Sequence, residues 1–336
     1  MEKIGIITDE AADLPKDIIG KHQIAIVPVK LDWPEIENLP GENTFQKMRE
    51  AEKKGIKGFG KTSQPSPKDF LDKYKYQLER FDKILCITLT SKLSGTYNSA
   101  IQAKNFLEPD YNPPTSSSHP DKSGRAPKQG KVFIIDSLSA SSGQALLVLK
   151  AIDLIAAQEG EPRSPRFAGE AGHEGRESGK GIEEITQDLE KFVPKVQTFV
   201  VFEDPKWIEA SGRIPHLLAN VIRSLMKSEI RPVLTFKKGK LVLAGFKAHA
   251  KDVPTTLFQQ FEKTTEKTRK QRKRIRTVIT HGDNLAGAQR LKEMIEKEFE
   301  RPTEGGCPEV AFINIINNVV GAPAGPNALT LAWCEI

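Results

Sequence analysis

Along the first half of the chain, short runs of β-branched residues alternate with stretches in which apolar positions recur every three to four residues. That alternation is the pattern of strands joined by helical crossovers, and it builds a parallel sheet. Strands are predicted over 3–8, 24–31, 84–88 and 132–136, with helices over 14–21, 45–54, 67–80, 94–107 and 141–158. Beyond residue 180 the pattern changes. Strands at 197–202, 231–236 and 240–249 follow closely, with a hairpin-like turn at Lys237 to Gly239, so an antiparallel component is expected. Helices at 182–192, 216–228, 255–267 and 285–298 and late strands at 277–281 and 310–316 complete this half. The fold class is α/β: a parallel-sheet α/β domain followed by an α+β domain with a largely antiparallel sheet.

At 336 residues the chain exceeds the size at which one core stops growing, which also points to two domains. The first is expected over 1–158 and the second over 181–336. Segments 108–130 and 159–180 are rich in Pro, Ser, Gly and charge and nearly empty of aliphatic residues, and read as mobile surface insertions. No run approaches the roughly 18 apolar residues of a membrane span, and the start lacks a leader pattern, so a cytoplasmic protein is expected. Cys86, Cys307 and Cys334 are isolated from one another and are expected to be core thiols.

The net charge of +6 favours an anionic partner, either a nucleic acid, another protein or a membrane surface touched transiently. Much of the excess lies in residues 263–276, where Lys267, Arg269, Lys270, Arg272, Lys273, Arg274 and Arg276 crowd together without an aromatic residue. Single-strand grooves interleave basic residues with stacking aromatics. The run is therefore read as a solvated helix end rather than a nucleic-acid stripe, and no DNA partner is expected.

Three polar loops carry candidate chemistry. Gly55 to Thr62 satisfies the phosphate-loop expression G-x-x-x-x-G-K-T, but a charged helix precedes it and Pro65 and Pro67 follow it. A working phosphate loop needs a buried strand before and a helix after, so ATP binding through Lys61 is rejected. In the next residues, Ser66, Pro67 and Asp69 form a capping box at a helix start, leaving Thr62 and Ser63 in an extended segment where their hydroxyls can meet an anion. A second loop, Thr88 to Tyr97, follows an apolar strand and precedes a helix. Ligands gather at that edge of open α/β sheets; Ser94 is either a ligand hydroxyl or an ordinary helix cap, and Gly95 permits close backbone approach. The third loop, Asp136 to Gly143, has the same placement. G-x-S-x-G is absent and the 6 histidines are scattered, so hydrolase and metal readings are poor and no catalytic or metal-binding residue is assigned.

These segments, in this order, resemble the DegV family: T-D-x-x-A-D-L at Thr8 to Leu14, T-S-Q-P-S-P at Thr62 to Pro67 and L-S-G-T-Y at Leu93 to Tyr97. D-S-x-S-A at Asp136 to Ala140, S-G-R-I at Ser211 to Ile214 and G-P at Gly325 and Pro326 extend the match over nearly the whole chain. The resemblance implies a non-enzymatic lipid-binding protein holding one long-chain fatty acid, such as palmitate, in a cleft between its two domains, without a cofactor. It implies a carrier role for the ATP-binding subunit of a fatty acid kinase. It also implies Thr62 and Ser94 as carboxylate ligands, with Ser63 and Gly95 as neighbours. Arg213 resembles a position at the kinase interface; a loop ion pair is the other reading. Where the family has a histidine in its terminal loop this chain has Pro323, which makes a lipid chaperone or sensor without a kinase the alternative. Glu10 and Ala11 replace a small hydroxyl pair after the first T-D, beside Asp9 at the polar edge of the cleft. His281, ending a strand, is a candidate to compensate for the missing histidine, or else structural.

Overall fold

In the computed structural model, residues 2–56, 58–109, 130–159, 180–227, 230–248, 252–298 and 308–336 are described. In chain order the first half contains β1 (Ile4–Asp9), α1 (Lys16–Lys21), β2 (Ala25–Val27), β3 (Lys30–Asp32), α2 (Pro34–Glu37), α3 (Thr44–Lys53), β4 (Lys61–Ser63), α4 (Pro67–Leu78), β5 (Lys83–Thr88), α5 (Thr96–Leu107), β6 (Val132–Asp136) and α6 (Ser142–Glu159). The second half contains α7 (Ile182–Phe192), β7 (Gln197–Val201), α8 (Lys206–Ala210), α9 (His216–Lys227), β8 (Ile230–Lys237), β9 (Lys240–Ala248), α10 (Val253–Lys270), β10 (Ile275–His281), α11 (Leu285–Glu298), β11 (Glu309–Ile315), α12 (Asn318–Ala324) and β12 (Leu329–Glu335).

Strands β2-β1-β5-β6 form a wholly parallel sheet. Its central strands are buried along their length, as expected where helices cover both faces. The second sheet, β11-β10-β12-β7-β8-β9, is antiparallel except between β10 and β11. Helix α6 joins the two. Its Leu146, Leu147, Val148 and Ala151 are buried in one core with Ile6, Leu85 and Ile135 of the first sheet and Val278, Ala332 and Cys334 of the second. Each such Leu contributes about 1.5–3 kcal/mol of burial, so the two sheets share one hydrophobic layer. Cys86 and Cys334 are buried free thiols, both pushed up to about 12 by burial; Cys307 lies outside the described residues.

Differences from the predicted elements have local causes. The strand predicted over 24–31 divides into β2 and β3 at Pro28, which cannot donate to a ladder; Val29 instead donates its N–H to Glu10 at 2.9 Å. The helix predicted from residue 94 begins at Thr96, because the Ser94 hydroxyl accepts the Thr96 N–H from outside the helix. Helix α12 reads as a loop in sequence, since it contains Gly321 and Pro323, but the Asn317 side chain caps it by accepting from Val319 and Val320. Strand β12 is a further addition. The insertions expected at 108–130 and 159–180 fall almost wholly outside the described residues.

Lys61 to Ser63 form a strand paired antiparallel with β3, and no helix starts until Pro67, so the phosphate-loop expression is not built. The basic run divides too. Lys267, Arg269 and Lys270 occupy the last turn of α10, a favourable place for cations. Arg276 is buried against Asp153 and Glu309, and Lys273 pairs with Glu335. Among the described residues no helix is long and apolar enough to cross a membrane.

Candidate functional site

The parallel strands β1, β5 and β6 end in loops that face the second sheet, and the space between them is a cavity of about 290 Å3. Residues of the β4 and post-β5 segments form one side, including Thr62, Ser63, Gln64, Ser94 and Gly95. Apolar residues of the second half form the other, among them Val200, Phe202, Ile208, Phe236 and Val320. A few polar groups on an otherwise apolar wall are what an amphiphile requires.

Local chain chemistry brings the two hydroxyl loops together. The ribbon of β3 and β4 pairs Leu31 with Thr62, and the Ser66–Asp69 capping box then turns the chain into α4. Between them Gln64 lays its amide over Gly95, where an added Cβ would collide with it, and reaches Ser99 on α5 at 3.4 Å. The absent side chain at Gly95 therefore lets the T-S-Q-P segment rest on the S-G-T-Y segment. Ser94 is linked to Thr96 by a hydroxyl pair at 2.8 Å. Thr62, Ser63, Ser94 and Gly95 all line one cavity.

Arg213 completes this end. Gly212, with φ +68, closes α8 and turns the next residue inward. The Arg213 guanidinium then donates to the Thr62 hydroxyl. Burial lowers its pKa from the ordinary value, yet an arginine stays cationic. Among the described residues no carboxylate pairs with it. It also borders an outer groove of about 1020 Å3 shared with Lys92, His216 and Lys240.

Asp9 and His281 do not line the cavity. The buried Asp9 carboxylate accepts the N–H groups of Ala11 and Leu89, two wall residues, from behind; burial raises it to about 6. His281 accepts the Asn284 N–H through Nδ1 at the start of α11, and burial lowers its pKa. Pro323 does line the cavity, but its side chain offers no polar group there. Sequence reasoning missed Gln64, Ser141 and Thr330 as wall residues. Gln64 stood inside a quoted motif; Thr330 sits on β12, which no pattern had flagged.

A family model described as "Uncharacterised protein, DegV family" matches residues 3–162 and 166–335. A DegV domain-containing protein of Clostridium acetobutylicum is 31% identical over 251 residues, covering 72% of this chain and 71% of the relative. A protein of Thermotoga maritima named fatty acid-binding protein is 26% identical over 337 residues, covering 97% and 96%. The crystal structure of a stearic acid-binding protein from Eubacterium ventriosum superposes with a TM-score of 0.72 at 21% identity, covering 100% of this chain and 98% of that one. With the model spanning both halves and the quoted motifs gathered around one cavity, this chain belongs to the DegV family.

Proposed function

We propose that the cavity takes one long-chain fatty acid, such as palmitate, with the carboxylate at Thr62, Ser94 and Arg213 and the acyl chain along the apolar wall. The observation that carries this reading is the guanidinium of Arg213, half-buried at a cavity end beside two hydroxyl loops with no carboxylate partner among the described residues. A half-buried guanidinium with no carboxylate beside it is a ready receptor for an anion. The apolar remainder of the wall, and the names of the Thermotoga and Eubacterium proteins, support an anion with a long aliphatic tail.

Magnitudes divide the labour. Burying about fourteen methylenes at roughly 0.8 kcal/mol each gives a gross gain near 11 kcal/mol. A hydrogen bond to a charged head group adds about 1.5–3 kcal/mol. The tail retains the ligand and the head contacts set its register. Native mass spectrometry and solvent extraction of the purified protein are expected to yield one fatty acid per chain. Ser94→Ala is expected to lower occupancy or displace the head group while some lipid stays bound. Unchanged loading and head position would remove Ser94 from the ligand set, and a delipidated protein that takes up no fatty acid would end the reading.

Presentation to the ATP-binding subunit of a fatty acid kinase fits the place of Arg213, which borders both the cavity and the outer groove. The second reading, a lipid chaperone or sensor without a kinase, is favoured by Pro323, which leaves the wall without a histidine at that position. An acyl-phosphate assay with the cognate kinase separates them.

A further inference from the structure

Two of the deeply buried lining residues are polar. Ser141 and Thr330 touch the cavity, yet only 2% and 3% of their surface is exposed, whereas Thr62, Ser94 and Arg213 are half-buried. This gradient makes the Arg213 end the mouth and puts Ser141 and Thr330 on the inner side, among the equally buried Ala11, Ile208 and Ala324. There they put hydroxyls where a cavity for a hydrocarbon tail has most to gain from aliphatic side chains.

The hydroxyls there form a continuous chain. Ser141 Oγ donates to Asp13 Oδ2 at 2.5 Å and lies 2.6 Å from Thr280 Oγ1. Thr280 Oγ1 lies 2.8 Å from Thr330 Oγ1, which lies 2.5 Å from Ser142 Oγ. Each hydroxyl has one proton to give. With the Ser141 proton committed to Asp13, Thr280 donates to Ser141, Thr330 to Thr280 and Ser142 to Thr330. Asp13 is held from its other side by the N–H and the side-chain amide of Asn317, at 2.8 and 2.6 Å. The chain thus crosses from the first sheet's loops to β10 and β12, and all its members are buried.

Such a wall is stiff in a way an aliphatic wall is not. A leucine would yield to an extra carbon by changing rotamer, but turning Ser141 or Thr330 breaks two hydrogen bonds and strands buried polar groups. A terminal methyl can rest against the wall; one more carbon has to part it. We propose that the Ser141–Thr330 wall is the acyl-length stop of the cavity, a specificity determinant that rests on the fatty-acid reading above.

The test is competitive loading of delipidated protein with an equimolar series of saturated fatty acids, read by native mass spectrometry. In the wild type, affinity is expected to rise about fourfold per methylene up to one length and then to drop sharply. Thr330→Ala and Ser141→Ala are each expected to move that limit to longer chains, by about two carbons for the two heavy atoms removed at Thr330. A wild-type profile that rises smoothly through the longest acids overturns the proposal without any variant. So does an unchanged limit in whichever variant folds and loads normally. Failure of the wild type to bind any fatty acid would count against the proposed function instead.

Discussion

Asp13 carries an uncommon load for a single side chain. It sits in the left-handed region at φ +50, buried, with its carboxylate receiving Ser141 and Asn317 while its carbonyl accepts the Asn314 amide. Burial raises its pKa from 3.8 to about 7. An acid with a raised folded pKa binds its proton more tightly in the native state. Stability from this source is therefore full below the unfolded value and is lost as pH climbs toward the folded one. Asp9, raised to about 6, acts in the same direction, and the lowered His281 opposes both as pH falls below its ordinary value. Between about pH 5 and 7 the urea midpoint of the wild type is expected to fall, and to fall less in Asp13→Asn. Equal slopes in the two proteins would remove Asp13 as the titrating group.

At the scale of elements, the β8–β9 hairpin shows how a turn places a wall. Lys238 and Gly239 both have positive φ, at +49 and +78, in the two-residue connection whose twist matches antiparallel strands. The Gly239 carbonyl accepts the Thr90 hydroxyl at 3.0 Å, and a Cβ on residue 239 would run into that same hydroxyl. The turn is thus docked on the loop that continues to Ser94. Gly239→Ala is expected to cost about 1–2 kcal/mol from the left-handed backbone alone, and more from the clash. Lys238→Gly, which relieves the same backbone strain without touching Thr90, is expected to be neutral or stabilising. Urea titrations with an unchanged slope would measure both, and equal effects of the two substitutions would refute the docking argument.

Over the whole molecule, the excursion between β2 and α4 straps the first sheet's loops to the second half. Trp33, Phe45 and Met48 share a buried cluster with Trp207, Ile316 and Ala322. Trp207 meets Trp33 and Phe59 edge-on at 6.0 and 5.4 Å, and Gly325 packs on its indole. Nearby, Arg49 pairs with Asp283 at 2.5 Å and also donates to Asn327. The strap therefore holds Thr62 in place relative to Arg213. Trp207→Ala is expected to cost about 3–5 kcal/mol of stability and to weaken fatty-acid binding, although Trp207 is not a wall residue. Calorimetric unfolding and a binding titration check the pair of effects; loss of stability with unchanged affinity would confine the strap to folding.

Local chain chemistry was enough for the alternation of strands and helices, the Ser66 capping box, the hairpin turn and the gathering of hydroxyls at strand ends, because each depends on neighbours within a few residues. The split of the strand at Pro28 was legible by the same rule and went unused. Tertiary contacts decided the rest. Only packing placed β12 in the middle of the second sheet, turned the guanidinium of Arg213 onto Thr62, and left His281 at a helix start away from the cavity. The chain from Asp13 to Ser142 joins residues far apart in sequence, each an ordinary Ser, Thr or Asp until two sheets meet. Hydrogen bonds across a seam leave no periodicity in a sequence, so no local pattern announces them.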